Sequence, residues 1–171
     1  MAKRGISMRP LYIFDLDGTL ALNDHRKHFI ADKKNQCWDE FYRACADDKP
    51  NKSVITLFAG LVQPNRDIYG CAITRAEVLI FSGRSDLVAV QTVKWLRANL
   101  PYTNTDDILS MLRMREHGDN TPDEILKKQW YDELPQEDKN RLVCVFDDRQ
   151  KVVDMWRSIG VTCLQVAKGD F

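Results

Sequence analysis

Short apolar runs that end abruptly in polar residues constrain this chain more than any other feature. Leu11-Tyr12-Ile13-Phe14 runs directly into Asp15, Val78-Leu79-Ile80-Phe81 into Ser82-Gly83, and Leu142-Val143-Cys144-Val145-Phe146 into Asp147-Asp148. Runs of this length, apolar throughout, are the pattern of strands buried on both faces. Ile108-Leu109-Ser110-Met111-Leu112 and the run from Val161 to Val166 predict two further strands. Helical patterns fall between them. Asp86 to Leu100 sets Leu87, Val90, Val93 and Leu96 on one face and stops at Pro101. Thr121 reads as an N-cap, with Pro122 in the first turn, for a helix reaching about Leu134. Val152 to Ile159 is closed by Gly160. Strands alternating with helices predict an α/β fold, a mostly parallel, Rossmann-like sheet flanked by helices on both faces. Ligands of such sheets gather at the carboxyl ends of the strands, where the polar clusters of this chain fall.

The stretch between the first two strands breaks the alternation. The gap from Asp15 to Ser82 is longer than one crossover needs. His25–Ile30, Gln36–Asp47 and Ser53–Val62 read as helices, the second with Trp38, Phe41, Tyr42 and Cys45 on one side, and Asp47 to Asn51 reads as a turn. The surplus predicts a small helical cap inserted after the first strand, residues 24–71, over a core made of residues 1–23 and 72–171.

Composition narrows the function classes. The 25 basic and 25 acidic side chains cancel, so no global field draws the chain onto nucleic acid or an anionic membrane. No stretch approaches the roughly 18 apolar residues that span a bilayer, and no apolar signal core follows the basic start. The chain reads as cytoplasmic. Its five cysteines make no C-x-x-C pair, and most sit in apolar runs, as reduced core thiols do.

Asp15-Leu16-Asp17-Gly18-Thr19 at a strand exit aims two carboxylates at one reacting group. One can attack phosphorus while the other gives a proton to the leaving oxygen and later activates water. A D-x-D alone is also a common turn; the strand before it and the Gly-Thr after it separate the two readings. Ser82-Gly83-Arg84 offers a hydroxyl, free backbone N–H groups and a guanidinium to phosphoryl oxygens, although a plain strand-to-helix turn uses the same residues. Asp147-Asp148 supplies the hard oxygens that suit Mg²⁺ beside a phosphate, or an N-cap for the next helix. Lys127, on the helix between the third and fourth strands, can balance Asp15 and a phosphoryl group, or stand solvated on its helix.

Taken together, Asp15-x-Asp17-Gly18-Thr19, Ser82, Lys127 and Asp147-Asp148 resemble, in order and context, the four motifs of the haloacid dehalogenase (HAD) superfamily. Within it the chain resembles the phosphatase domain of phage polynucleotide kinase–phosphatases. The matching stretches are Phe81 to Arg84, Arg115-Glu116-His117-Gly118-Asp119, Asp123 to Lys127, Asp147 to Val153, and onward to the tail Gln165 to Phe171. Only about Lys33 to Arg75 lies outside the resemblance.

The resemblance implies a Mg²⁺-dependent phosphatase acting on 3′-phosphates of phosphorylated nucleic acid ends or nucleotides, of phage or bacterial type. It implies Asp15 as nucleophile, Asp17 as general acid and base, and Lys127 as the third catalytic group. It implies Mg²⁺ on Asp15, the Asp17 carbonyl, Asp147 and Asp148. Thr19, Arg26, Ser82, Gly83, Arg84, Arg115 and Asp123 are the implied substrate-binding residues. No G-x-x-x-x-G-K-[ST] occurs, so kinase activity is not expected. Trp38, Phe41 and Tyr42 have two readings, cap-core packing and base stacking; Arg26-Lys27 and Lys33-Lys34 likewise read as a phosphate track or a solvated face. Other outcomes are a phosphatase of mononucleotides or other small esters, a phosphotransferase, and a non-catalytic binding module on the same fold. Monomer and homodimer stay equally open.

Overall fold

The computed structural model describes residues 9–66 and 72–169. The N-terminal residues 1–8, Cys71 and the tail Asp170–Phe171 lie outside the described residues. Five strands form one sheet: β1 (Leu11–Phe14), β2 (Glu77–Ser85), β3 (Leu112–Arg115), β4 (Leu142–Arg149) and β5 (Cys163–Gly169). Their order is β3-β2-β1-β4-β5, and every neighbouring pair is parallel. The first strand in sequence thus sits in the middle, and its end faces the ends of β2 and β4.

Alternating side chains divide the core in two. Phe14, Val78, Ile80, Cys144 and Phe146 point to one face. There they meet Val54, Phe58 and Val62 of α2 (Lys52–Val62), Trp95 and Leu96 of α3 (Ala89–Asn99), and Ile108 of α4 (Thr105–Met111). Ile13, Phe81, Val145 and Cys163 point to the other, against Leu126 and Trp130 of α5 (Asp123–Asp132) and Val152, Val153 and Trp156 of α7 (Gln150–Ser158). Trp156 is wholly buried. The remaining helices are α1 (Trp38–Arg43) and α6 (Gln136–Arg141). Among the described residues no helix is long and apolar enough to cross a membrane.

Several local expectations change. Ile108 to Met111 is helix, not strand: Asn104 and Asp107 form a reciprocal capping box that starts α4, and the strand begins at Leu112. Leu109 is exposed, as one side of a surface helix should be. Thr121 does not cap α5. Pro122 holds the N-cap position, and the Thr121 N–H donates instead to Asp119 Oδ1 at 2.8 Å. The predicted helix from Gln36 to Asp47 is two pieces, α1 and a 3₁₀ turn at Ala44–Asp47. His25–Ile30 is likewise a 3₁₀ segment, Asp24–Phe29. Lys49–Pro50, read as turn, pairs antiparallel with Ala21–Leu22. Gly160, at φ +81°, terminates α7 as expected. Cys45, Cys144 and Cys163 are buried free thiols, and Cys37 is an exposed one.

Candidate active site

Strand register builds the site. Pairing Phe14 with Phe146 sets Asp15 beside Asp147, and the Asp15 N–H donates to the Phe146 carbonyl at 2.9 Å. Carboxylate oxygens of Asp15, Asp147 and Asp148, all buried, lie within 4.8 Å of one another. Leu126 and Trp130 dock α5 on the sheet, and Lys127 between them is carried inward. Its Nζ donates to Asp15 Oδ1 at 2.6 Å and to Asp147 Oδ2 at 2.8 Å. The second Asp15 oxygen, Oδ2, is buried and has no hydrogen-bond partner.

Three acids around one ammonium leave negative charge uncompensated away from water, which is costly. Burial first, then Asp147, pushes the Asp148 carboxyl up to about 7. Burial raises Asp15 well above the ordinary carboxylate value, against the pull of Lys127. Lys127 itself is buried, which would lower it, but Asp147 and Asp15 hold it firmly protonated. The donor set fits a hard divalent cation: buried carboxylates on adjacent strand ends, within 4.8 Å of one another, and an excess of negative charge that an ion would offset. Asp15, Asp147 and Asp148 are the residues that could hold such a cation; the resemblance adds the Asp17 carbonyl as a fourth donor.

Asp17 faces a different environment. It accepts from Arg26 at 2.5 Å and from both Nε (3.3 Å) and Nη2 of Arg84. Burial acts to raise Asp17, yet Arg84 and Arg26 prevail and hold it at about 2. Both guanidiniums are themselves closed off from solvent. Asp48 binds them together, accepting from Arg26 at 2.7 Å on each oxygen and from Arg84 at 2.8 Å. Arg26 also donates to the Phe41 carbonyl and lies 4.1 Å over the Phe41 ring. Trp95 Nε1 of α3 donates to the Asp48 carbonyl at 2.7 Å, so the core fixes the position of this acid.

Two glycines permit the close approaches. Gly18 sits at φ +88°, and a Cβ there would lie 2.1 Å from Asp148 Oδ2. At Gly83 a Cβ would meet Asp123 Oδ1 at 2.6 Å. Asp123, at the start of α5, is gripped by Arg115 of β3 and Arg149 of β4. Arg115 also donates to the carbonyls of Gly83 (2.9 Å) and Thr121 (2.6 Å). Register breaks in β2 after Ser82 and in β4 after Asp147 let both strands run past their expected ends and re-aim these side chains.

A cleft of about 350 Å³ opens above this group. Asp15, Asp17, Gly83, Arg115, Asp123, Lys127, Asp147 and Asp148 line it. Thr19, Arg26, Ser82 and Arg84 lie fully buried behind that lining; the Ser82 Oγ accepts the Arg84 N–H at 3.2 Å. Sequence reasoning assigned no site role to Asp48, to Arg149 or to the loop from His117 to Pro122, although Arg149 and that loop line the cleft. Trp38, Phe41 and Tyr42 all border the cleft; Phe41 is 2% exposed, and Trp38 stands open at 38%.

A parallel sheet of this order, with an Asp-x-Asp at the end of its central strand, an acid pair on the next strand and a buried lysine bridging them, is the core of a HAD-type phosphatase. The family of the polynucleotide kinase PNKP phosphatase domain matches residues 9–171, and the chain belongs to it. Among solved structures the fold is similar to a chain of the Pnkp1/Rnl/Hen1 RNA repair complex, at TM-score 0.71 and 25% identity over 99% of this chain. It is similar also to a chain of a second Pnkp1/Rnl/Hen1 complex, at TM-score 0.69 and 27% identity over 96% of this chain. In each case it spans 48% of the other chain's length.

Proposed function

We propose that this protein removes 3′-phosphates from polynucleotide ends or nucleotides through an aspartyl-phosphate, with Mg²⁺. The observation that carries the mechanism is the division of labour on Asp15: Lys127 holds Oδ1, while buried Oδ2 is left unbonded at a carboxylate that lines the cleft. Oδ2 attacks phosphorus in line and the P–O bond to the leaving 3′-oxygen breaks. Asp17 delivers the proton to that oxygen, then takes one from the water that hydrolyses the acyl-phosphate. Asp17 is ionised at rest; it takes up the proton it delivers as substrate binds, from the phosphate monoanion or from water, while the phosphoryl charge beside it raises its proton affinity. Lys127 and the backbone around Ser82 and Gly83 grip the phosphoryl oxygens. Mg²⁺ on Asp15, Asp147 and Asp148 would screen the acids from the incoming dianion. The nucleic-acid substrate is supported by family membership and by the likeness to chains of RNA repair complexes. In the inserted segment 24–71, the part from Trp38 to Tyr42 that walls the cleft is the part we assign the role of a cap.

The direct test is phosphate release with Mg²⁺ from a 3′-phosphorylated oligonucleotide, its 5′-phosphorylated counterpart and a 3′-mononucleotide. Release from 3′-phosphates and not from the 5′ end is expected. Turnover restricted to small esters, with neither oligonucleotide hydrolysed, overturns the nucleic-acid reading and leaves the aspartyl-phosphate chemistry intact.

The acid cluster also predicts how pH and metal act together. Asp15 and Asp148 have raised values in the folded state, so they favour folding while protonated. That contribution is lost as pH rises from the ordinary carboxylate range through about 7. Asp17 has the opposite sign, but its contribution disappears only as pH falls toward about 2. In EDTA, therefore, the melting temperature should fall between about pH 5 and pH 8. Mg²⁺ should restore it more at the upper end than at the lower. A melting temperature that ignores both pH and Mg²⁺ in that window would contradict the assignment.

A further inference from the structure

Packing accounts for one of the three aromatics on α1 and leaves two unexplained. Phe41 is buried beneath Arg26. Trp38, one turn earlier, is 38% exposed, while Trp95, Trp130 and Trp156 are at 5%, 5% and 0%. A tryptophan used only as core filler has no reason to stand open at the wall of the catalytic cleft. Nor is its ring loosely placed. Its Nε1 donates to Gln36 Oε1 at 3.1 Å, which satisfies its polar atom. Phe41 meets it edge-on at 5.6 Å, and Tyr42 lies 5.9 Å away at a shallow tilt of 33°. Tyr42 is anchored in turn: its hydroxyl donates to the Gly83 carbonyl at 3.4 Å, the same oxygen that accepts from Arg115. The aromatic wall is therefore fastened to the backbone that cradles the phosphoryl group.

We propose that Trp38 and Tyr42 form a stacking subsite for the base of the nucleoside that carries the scissile phosphate. The inference rests on the function proposed above and names what that site recognises beyond the phosphate. A pre-oriented aromatic face binds any base, because every base has a π-face, and it loses little freedom in doing so. The charges in the cleft favour this grip over one on the phosphate backbone. Arg115 and Arg149 are both turned onto Asp123, and Lys127 onto Asp15 and Asp147. Asp39, next to Trp38, lines the cleft as well and would repel a further phosphate. The subsite therefore selects a terminal nucleoside by its base, with little demand for sequence or length.

The test compares two 3′-phosphorylated oligonucleotides that differ only at the last residue, one bearing adenine and one an abasic tetrahydrofuran. The wild-type protein should favour the adenine end in kcat/KM by roughly 5- to 150-fold, the range of one base stack. Trp38→Ala should bring the ratio of the two close to one, and Trp38→Phe should restore most of the preference. A second readout needs no turnover. Trp38 is the exposed tryptophan, so titration with adenosine 3′-phosphate should quench the tryptophan fluorescence of the wild type and leave that of Trp38→Phe unchanged. Equal preference in wild type and Trp38→Ala overturns the subsite while the phosphatase reading stands. If the wild type hydrolyses neither oligonucleotide, the 3′-end reading fails, and the fluorescence titration alone decides the subsite: quenching supports it and its absence overturns it.

Discussion

Asp15→Asn should abolish phosphate release, by about 10⁴-fold or more, in a protein that folds as well as the wild type. The two halves of that expectation have separate causes. Asparagine keeps the shape of the side chain and can still accept from Lys127, but its amide cannot carry the phosphoryl group as an acyl-phosphate, so the covalent route closes. Stability goes the other way. Asp15 is buried with Asp147 and Asp148 as neighbours, and its charged form is disfavoured in the folded state. Removing that charge relieves the cluster, and Lys127 keeps Asp147 as its partner at 2.8 Å. Without Mg²⁺ the melting temperature of the variant should equal or exceed that of the wild type. Mg²⁺ should raise it less than it raises the wild type, because one donor of the cation has been lost. Residual activity within tenfold of wild type would exclude Asp15 as the nucleophile. A variant that melts far below the wild type would show instead that the Asp15–Lys127 pair is a net stabiliser.

The chemistry at the strand ends was readable because it is local in sequence. Asp15 and Asp17 occupy one strand exit, and Asp147 and Asp148 another; a parallel sheet brings such exits to one edge whatever the intervening chain does. Lys127 was open when taken singly and was read only through the match to the other motifs; the structure adds that Leu126 and Trp130 dock α5 on the sheet and carry it inward. The misread strand at Ile108 shows where this reasoning fails. A five-residue apolar run fits a strand and one helical turn equally well. The deciding signal was Asn104 and Asp107, three apart, which make the cap that starts α4. Asp48 was illegible for a deeper reason. In Asp47-Asp48-Lys49-Pro50-Asn51 it has the composition of a solvated turn. Nothing in one dimension distinguishes an aspartate that faces water from one that closes two buried arginines brought in from distant segments. Trp38 and Phe41 pose the same difficulty, since helical spacing alone does not show that one stands open and the other is buried beneath Arg26.

Asp48→Ala should destabilise the fold by about 3–5 kcal/mol, the scale set by removing one partner from a buried ion network. Arg26 and Arg84 are fully buried, cannot lose their charge, and would be left sharing Asp17, which is part-exposed. In a chain of this length the melting temperature should fall by roughly 6–20 °C. Asp48→Asn should cost less, because an amide oxygen still accepts from one guanidinium. The pair Asp48→Ala with Arg26→Met should cost less than the sum of the two single changes, since the second removes the charge stranded by the first. The loss should extend to catalysis in protein that remains folded at low temperature. Asp48 sets where both arginines point, and they set where the Asp17 carboxylate points, so freeing them should lower kcat more than it raises KM. Thermal unfolding of the wild type and the four variants, with turnover measured well below the lowest melting temperature, tests both claims. Wild-type stability in Asp48→Ala would show that the two arginines find other partners or water. Wild-type kcat in a destabilised Asp48→Ala would confine Asp48 to the fold and leave Asp17 oriented by its own turn, Gly18 N–H to Ala21 carbonyl at 2.8 Å.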